Sequence, residues 1–229
     1  VTTFLIVRHA EAEGNRDHRF LGQSDAPLSA LGRRQAEALS RRLAEMPVTR
    51  IISSDLERAV ATVQPAATAL GISIEPDRRF REIENGRWRG LLPSEIAARW
   101  PDLWNRYTSG EDVRRPDGET WADVRARVVG AVRSVTAEPG EFVVVSTHGG
   151  PTLTLASWAA GLRPRGNLYQ VPLVLPRNTS ITTIEAPELR LIAFNDVGHL
   201  PRELQHHSPD ARRFLREALE HPTTTTTDH

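Results

Sequence analysis

The sequence predicts an α/β fold: a three-layer sandwich with a mainly parallel central sheet, helices on both faces and a small helical cap. Three observations lead there. Short apolar runs, FLIV at 4–7, II at 51–52 and FVVV at 142–145, each give way at once to polar residues. The stretches that follow have helical periodicity, and strands alternating with helices build a parallel sheet with right-handed crossovers. Residues 80–118 break this rhythm, with Trp88, Trp100 and Trp104 set among charges and turns, as an inserted cap of short helices would be.

Phe4 to Val7 is apolar and rich in β-formers, the pattern of a strand buried on both faces. Gly22 to Ser29 is turn-like, and Ser29 caps a helix reaching about Glu45, along which Leu31, Ala38, Leu39 and Leu43 recur near helical spacing. Ile51 and Ile52 make a second strand, Asp55 opens a helix over Leu56–Leu70 that stops at Gly71, and Ile72 to Ile74 make a third strand. Thr120 and Asp123 have capping-box spacing, and their helix runs to about Ala137. Phe142 to Ser146 is the clearest strand; His148-Gly149-Gly150 follows it, then a helix from about Pro151 to Ala160. Thr179 to Ile184 and Leu189 to Ala193, joined across Pro187, form a hairpin that finishes the sheet. Beyond Gly198 comes one amphipathic helix, capped by Ser208 with Pro209 in its first turn. The expected organisation is one α/β domain over 1–200 with the cap inserted at about 80–118. A helix over 201–222 packs on or beside it, and a low-complexity tail over 223–229 is expected to be disordered.

Composition narrows the chemistry. All 29 basic residues are arginine and balance 29 acidic ones, so no global field draws the chain to nucleic acid or to an anionic membrane. Without lysine there is no Schiff base, no pyridoxal-phosphate anchor and no Walker lysine. Without cysteine there is no thiol nucleophile, iron–sulfur cluster or thiolate zinc site. The start VTTFLIVRHAE has neither the basic region nor the long apolar core of a signal peptide. The expected compartment is the cytoplasm.

Three apolar strands run straight into cationic or imidazole side chains: Arg8-His9 after the first, Arg58 in the first turn of the helix after the second, and His148-Gly149-Gly150 after FVVVST. In an open parallel sheet, ligands bind in the crevice at the carboxyl ends of the strands. Two arginines, two histidines and two helix N-termini meeting there suit a phosphate dianion, which guanidinium forks and free N–H groups bind in pairs. Binding alone does not require two histidines. A neutral imidazole can attack phosphorus, and surrounding positive charge keeps it unprotonated. The leaving oxygen needs a proton, and Glu82 in FREIENGRWRG is the candidate acid, with Glu84 two residues away as its rival.

Arg8-His9-Ala10-Glu11, with Asn15 six residues after His9, resembles the RHG motif that opens the histidine phosphatases, the phosphoglycerate-mutase-like superfamily. The resemblance continues through LGQSDAPLSALGRRQA, SSDLERAVATV, FREIENGRWRG, PDGETWADVRARV, VVVSTHGG and FNDVGHL, over roughly residues 4–200. It implies that His9 accepts the phosphoryl group, that Arg8, Arg58 and His148 bind it, and that Glu82 donates the proton and later activates water. It further implies that Asn15, Gly22 and Gln23 line the pocket and that the Gly149 amide faces the phosphate. No metal ion and no organic cofactor are expected for the chemistry.

Three residues depart from the family pattern. Ala10 stands for the usual glycine, which is tolerable where φ is negative; Ala12 stands for a common Thr or Ser near the phosphate; Arg89 stands where glutamate is frequent and would make the pocket rim more cationic. EIENGRWRGLL and GQSD occupy the places of the mutase signatures, which favours a phosphatase acting on a small metabolite. A phosphoglycerate mutase and a non-catalytic phospholigand or protein-binding module are the alternatives. Cap residues 91–118 would select the leaving group, and Arg99, Arg106, Arg114 and Arg115 leave room for anionic substrates. Partners other than a small phosphate ester are not expected, neither nucleic acid nor membrane, while a homodimer stays open. His199, His206 and His207 lack metal-ligand spacing and read as packing or surface residues. The Arg-rich stretches 33–42 and 125–133 read as solvated faces, and the five tryptophans as cap and core.

Overall fold

The computed structural model describes residues 1–13, 19–163 and 166–205. Six strands form one sheet in the order β3-β2-β4-β1-β5-β6. They are β1 (Thr2–Arg8), β2 (Val48–Ser53), β3 (Ile74–Pro76), β4 (Phe142–Thr147), β5 (Ile181–Ala186) and β6 (Arg190–Asp196). β3, β2, β4 and β1 are mutually parallel, β5 runs against β1, and β6 runs against β5. The expected mainly parallel sheet with a closing hairpin is therefore what the chain adopts.

β1 is central because all four residues of FLIV are buried, each on one of two opposite faces. Phe4 and Ile6 join Ile52, Val143, Val145, Val124, Val128 and Leu155 on one side. Leu5 and Val7 join Ile51, Val144, Leu39, Leu43 and Val63 on the other. Each such side chain withdrawn from water contributes roughly 1.5–3 kcal/mol, so a slip of register by one residue is strongly opposed. Helices α1 (Ala30–Ala44) and α2 (Glu57–Leu70) cover the second face, α5 (Trp121–Ser134) and α6 (Gly149–Ala159) the first.

Local signals explain the helix ends. The Ser29 side chain accepts from Gly32 N–H at the start of α1. Thr120 and Asp123 form the expected capping box of α5, but that helix ends at Ser134, short of Ala137. α2 stops at Gly71, whose φ of 66° is left-handed. Asp55 does not cap α2, as its sequence position suggested; its carboxylate instead holds Arg81 through two 2.6 Å bonds. β3 begins later than expected because Ile72 N–H still closes the end of α2 on Ala67 O.

The segment between β3 and α5 carries short helices α3 (Pro93–Arg99) and α4 (Pro101–Thr108). Their core is aromatic: Trp88, Trp104 and Tyr107 pack with Ile96, Val113 and Phe20, the Phe20 and Trp88 rings meeting edge-on at 5.7 Å. Leu200 and Leu204 pack on Ala38 of α1. The helix expected over 201–222 and the tail over 223–229 fall outside the described residues apart from a short turn at Arg202–Leu204. Among the described residues, no helix is long and apolar enough to cross a membrane.

Candidate active site

A cavity of about 270 Å³ opens at the carboxyl ends of β1 and β4, between the sheet and the cap. Arg8, His9, Gly22, Arg58, Glu82, Gly149 and Gly150 line its floor. Leu153, Leu168, Leu173 and Leu175, with Tyr107, Arg115 and Trp121, line its walls.

His9 leaves the end of β1, where its N–H donates to Thr147 O of β4 and its carbonyl accepts from Asn178 Nδ2. Its Nδ1 lies 2.7 Å from Ala10 O. A carbonyl oxygen only accepts, so Nδ1 carries the proton and Nε2 keeps a free lone pair. Burial, with Arg58 and Arg8 close by, holds the His9 pKa well below its ordinary value. The result is a neutral imidazole with a bare nitrogen.

Arg8 and Arg58 are both buried and both held by main-chain carbonyls. Arg8 Nη1 donates to Pro176 O, and Arg58 donates to Ser24 O and Gly22 O at 2.6 and 2.9 Å. Desolvation pushes Arg8 down to about 10, partly offset by Glu82. Arg8 Nε is buried and has no hydrogen-bond partner among the described residues. The same is true of His148 Nδ1, whose other ring nitrogen lies 2.8 Å from Ser54 Oγ. A buried polar atom left without a partner is costly, and an oxyanion in the crevice would satisfy Arg8 Nε. His148 lies behind the cavity wall, its ring 5.1 Å from that of His9, and burial followed by Arg58 lowers its pKa. It is also the N-cap of α6, so the positive end of that helix faces the same floor.

Glu82 approaches from the cap side. Its Oε1 accepts from Ile83 N–H at 2.9 Å and its Oε2 from Gly150 N–H at 3.2 Å. Its backbone carbonyl is held by Arg127 Nη2 and Gln23 Nε2. Glu84, the rival, lies off the cavity and is paired with Arg89 and with Gly86 N–H. Geometry separates the two carboxylates that the sequence left adjacent.

The structure therefore brings together Arg8, His9, Gly22, Arg58, Glu82, His148 and Gly149. Gln23 is not on the cavity wall; its amide is used by Glu82 O and by Arg81. Asn15 lies outside the described residues. Arg89, expected to make the rim more cationic, is neutralised by Glu84 away from the cavity. Ala12 is buried, bridges to Leu28 and does not line the cavity. Ala10 is not among the residues with positive φ, which is why its methyl is tolerated. Arg127 corrects the reading of 125–133 as a solvated face, because it donates to the carbonyls of Arg79, Arg81 and Glu82 and to Glu119.

Sequence reasoning missed Ser54, Asn178 and Arg127. Ser54 stands inside the quoted SSDLER motif and was within reach; the other two act across 169 and 45 positions of chain, with no local signal. Among the described residues no group of three or more His, Cys, Asp or Glu is placed to hold a metal. Desolvation lowers the pKa of the half-buried His199, whose ring nitrogens have no partner among the described residues, and His206 and His207 lie outside those residues.

The family model described as histidine phosphatase superfamily (branch 1) matches residues 4–196. A probable phosphoglycerate mutase GpmB of Enterobacter sp. (strain 638) is 31% identical over 204 residues, covering 88% of this chain and 93% of its own. Among solved structures, Bacillus stearothermophilus YhfR superposes with a TM-score of 0.78 at 30% identity, over 87% of this chain and 99% of its own. A mycobacterial glucosyl-3-phosphoglycerate phosphatase in complex with VO3 gives 0.73 at 29% identity, over 85% and 99%.

Proposed function

Because the chain belongs to the histidine phosphatase superfamily, we propose that it hydrolyses a phosphate monoester of a small metabolite through a phosphohistidine on His9. The observation that carries this is the bare Nε2 of a neutral, buried His9, set beside Arg58 and beside Arg8, whose Nε has no partner among the described residues.

In the first step His9 Nε2 attacks phosphorus and the ester P–O bond breaks. Arg8, Arg58, His148 and the N-terminus of α6 bear the charge on the equatorial oxygens. Glu82, as the carboxylic acid, gives its proton to the leaving oxygen. In the second step the Glu82 carboxylate takes a proton from water, whose oxygen attacks phosphorus as the N–P bond breaks. Inorganic phosphate leaves and His9 returns to its starting state. Glu82 suits both steps because two main-chain N–H groups fix its carboxylate at the floor.

The mutase reading has one specific observation in its favour, the 31% identity to a relative named as a probable phosphoglycerate mutase. Against it stand EIENGRWRGLL and GQSD in the places where mutase signatures belong. The two differ in the acceptor of the phosphoryl group, water or a second hydroxyl.

Phosphate release from a panel of monoesters, run with EDTA and with 3-phosphoglycerate included, tests the proposal. EDTA-resistant release is expected, lost by on the order of 10³-fold or more in His9→Ala. Retention of near-wild-type release in that variant would remove His9 as the acceptor. Isomerisation of 3-phosphoglycerate without release would establish the mutase instead.

A further inference from the structure

The cavity has a second cationic feature, apart from its phosphate floor. Of the four cap arginines, Arg106 and Arg114 are paired at the surface with Glu111 and Asp123. Arg99 does not line the cavity, and Arg115 does. Arg115 is 1% exposed. Among the described residues it forms no ion pair: Nε donates to Asn85 Oδ1 at 3.2 Å, and Nη1 donates to Glu119 O at 3.0 Å and to Val113 O at 3.5 Å. Nη2 donates to none of them. Its charge rests on aromatic faces, with Trp121, Tyr107 and Trp88 ring centres 5.1, 5.4 and 5.8 Å from the guanidinium carbon.

A buried charge is ordinarily kept where a counter-charge meets it, since leaving it alone is costly. Aromatic faces offset part of that cost and also fix the plane of the fork. Glu82, the carboxylate on the cavity lining, is at the floor with its oxygens on Ile83 and Gly150 amides. The neighbouring wall is apolar, made by Leu153, Leu168 and Leu173. One guanidinium with free N–H groups suits a planar monoanion better than a second dianion, which at the floor is met by two arginines and a helix N-terminus.

We propose that Arg115 is a specificity residue that binds a carboxylate on the alcohol portion of the substrate. The preferred esters then carry a phosphate at one end and a carboxylate at the other. This rests on the phosphatase reading above. It places Arg115 outside the chemical step: the fork orients the leaving alcohol and selects among esters.

Matched esters test it. In one pair, 3-phosphoglycerate and glycerol 3-phosphate differ by a carboxylate for a hydroxymethyl group; 4-carboxyphenyl phosphate and phenyl phosphate form a longer pair. Phosphate release is measured for each with the wild type, Arg115→Gln and Arg115→Lys. The wild type is expected to favour the carboxylated member of at least one pair by tenfold or more in kcat/KM, mostly through KM. Arg115→Gln is expected to bring that ratio near one. Should circular dichroism show Arg115→Gln unfolded, Arg115→Lys carries the test, since it keeps the charge without the fork and should lower the ratio severalfold. Equal rates within both pairs in the wild type, or an unchanged ratio in the folded variant, overturn the assignment. Release from no ester at all would instead sink the phosphatase reading, so the two failures are distinct.

Discussion

The His9 and His148 rings stand 5.1 Å apart, tilted by 58°, at the carboxyl ends of adjacent parallel strands. The pairing of Arg8 with Thr147 in the β1–β4 ladder sets that spacing, since each histidine is the next residue along its strand. Two imidazoles so close, beside Arg8 and Arg58, disfavour each other's protonation.

Acid should therefore leave the proposed nucleophile active until well below its ordinary range. Burial first, then Arg58, hold both histidines below a pKa of 6.5. As pH falls from 7 to 6, the free-enzyme profile of kcat/KM is expected to show no loss that titrates near 6.5. A limb at that value would mean that His9 is not shielded. Stability behaves the other way. Above pH 6.5 these histidines are neutral in both states and contribute no dependence. Below it the unfolded chain takes up protons that the folded one refuses, so stability should fall as pH drops through that value. Chemical denaturation at pH 7.5 and 5.5 measures it.

Ser54→Ala should loosen His148. Ser54 Oγ lies 2.8 Å from His148 Nε2, while Nδ1 of the same ring has no partner among the described residues. Loss of the hydroxyl strands a buried ring nitrogen, costing about 1–3 kcal/mol of stability. It should lower kcat by about tenfold, with Ser54→Thr recovering part. Unchanged kinetics in Ser54→Ala would deny it a positioning role.

Glu82→Gln should separate substrates by leaving group. Alkyl esters need the proton and are expected to lose about 10²–10⁴-fold in kcat, while aryl phosphates lose much less. Equal losses on both classes would argue that Glu82 only shapes the floor.

Gly150→Ala tests the close approach of helix to acid. A Cβ there would fall against Glu82 Oε1 and lie 2.7 Å from the Trp121 ring. Glu82 must shift, and a displacement of about 1 Å costs on the order of 10²-fold in rate. Overpacking against Trp121 should remove about 1–3 kcal/mol of stability. Gly149→Ala is a milder control, since its Cβ would meet Arg8 Nε and Leu175 at 3.4 Å. A Gly150→Ala enzyme as fast as the Gly149→Ala one would refute the steric argument.

Much of the crevice was legible because its parts are contiguous in sequence with strands. FLIV-Arg8-His9 and FVVVST-His148-Gly149 each place a functional residue directly after a buried run, and burial leaves such a run little choice of register. The helix termini erred where competing bonds intervened, as when Arg81 drew Asp55 away from α2. Arg115 was one of four equivalent cap arginines until packing put it under three aromatic rings. Gln23 was expected on the pocket, but the Glu82 carbonyl and Arg81 use its amide instead.

Hydrophobic periodicity and the order of the motifs by themselves determined the α/β sandwich, the crevice at its strand ends and the superfamily. Those depend on short-range pattern and on which residues must leave water. Tertiary structure alone decided how Glu82 is held at the floor while Glu84 is paired off it, which nitrogen of His9 is bare, and which cap arginine stays buried without a counter-charge among the described residues. Each of those outcomes depends on partners brought together from separate segments or on a side-chain rotamer, and neither is encoded by local pattern.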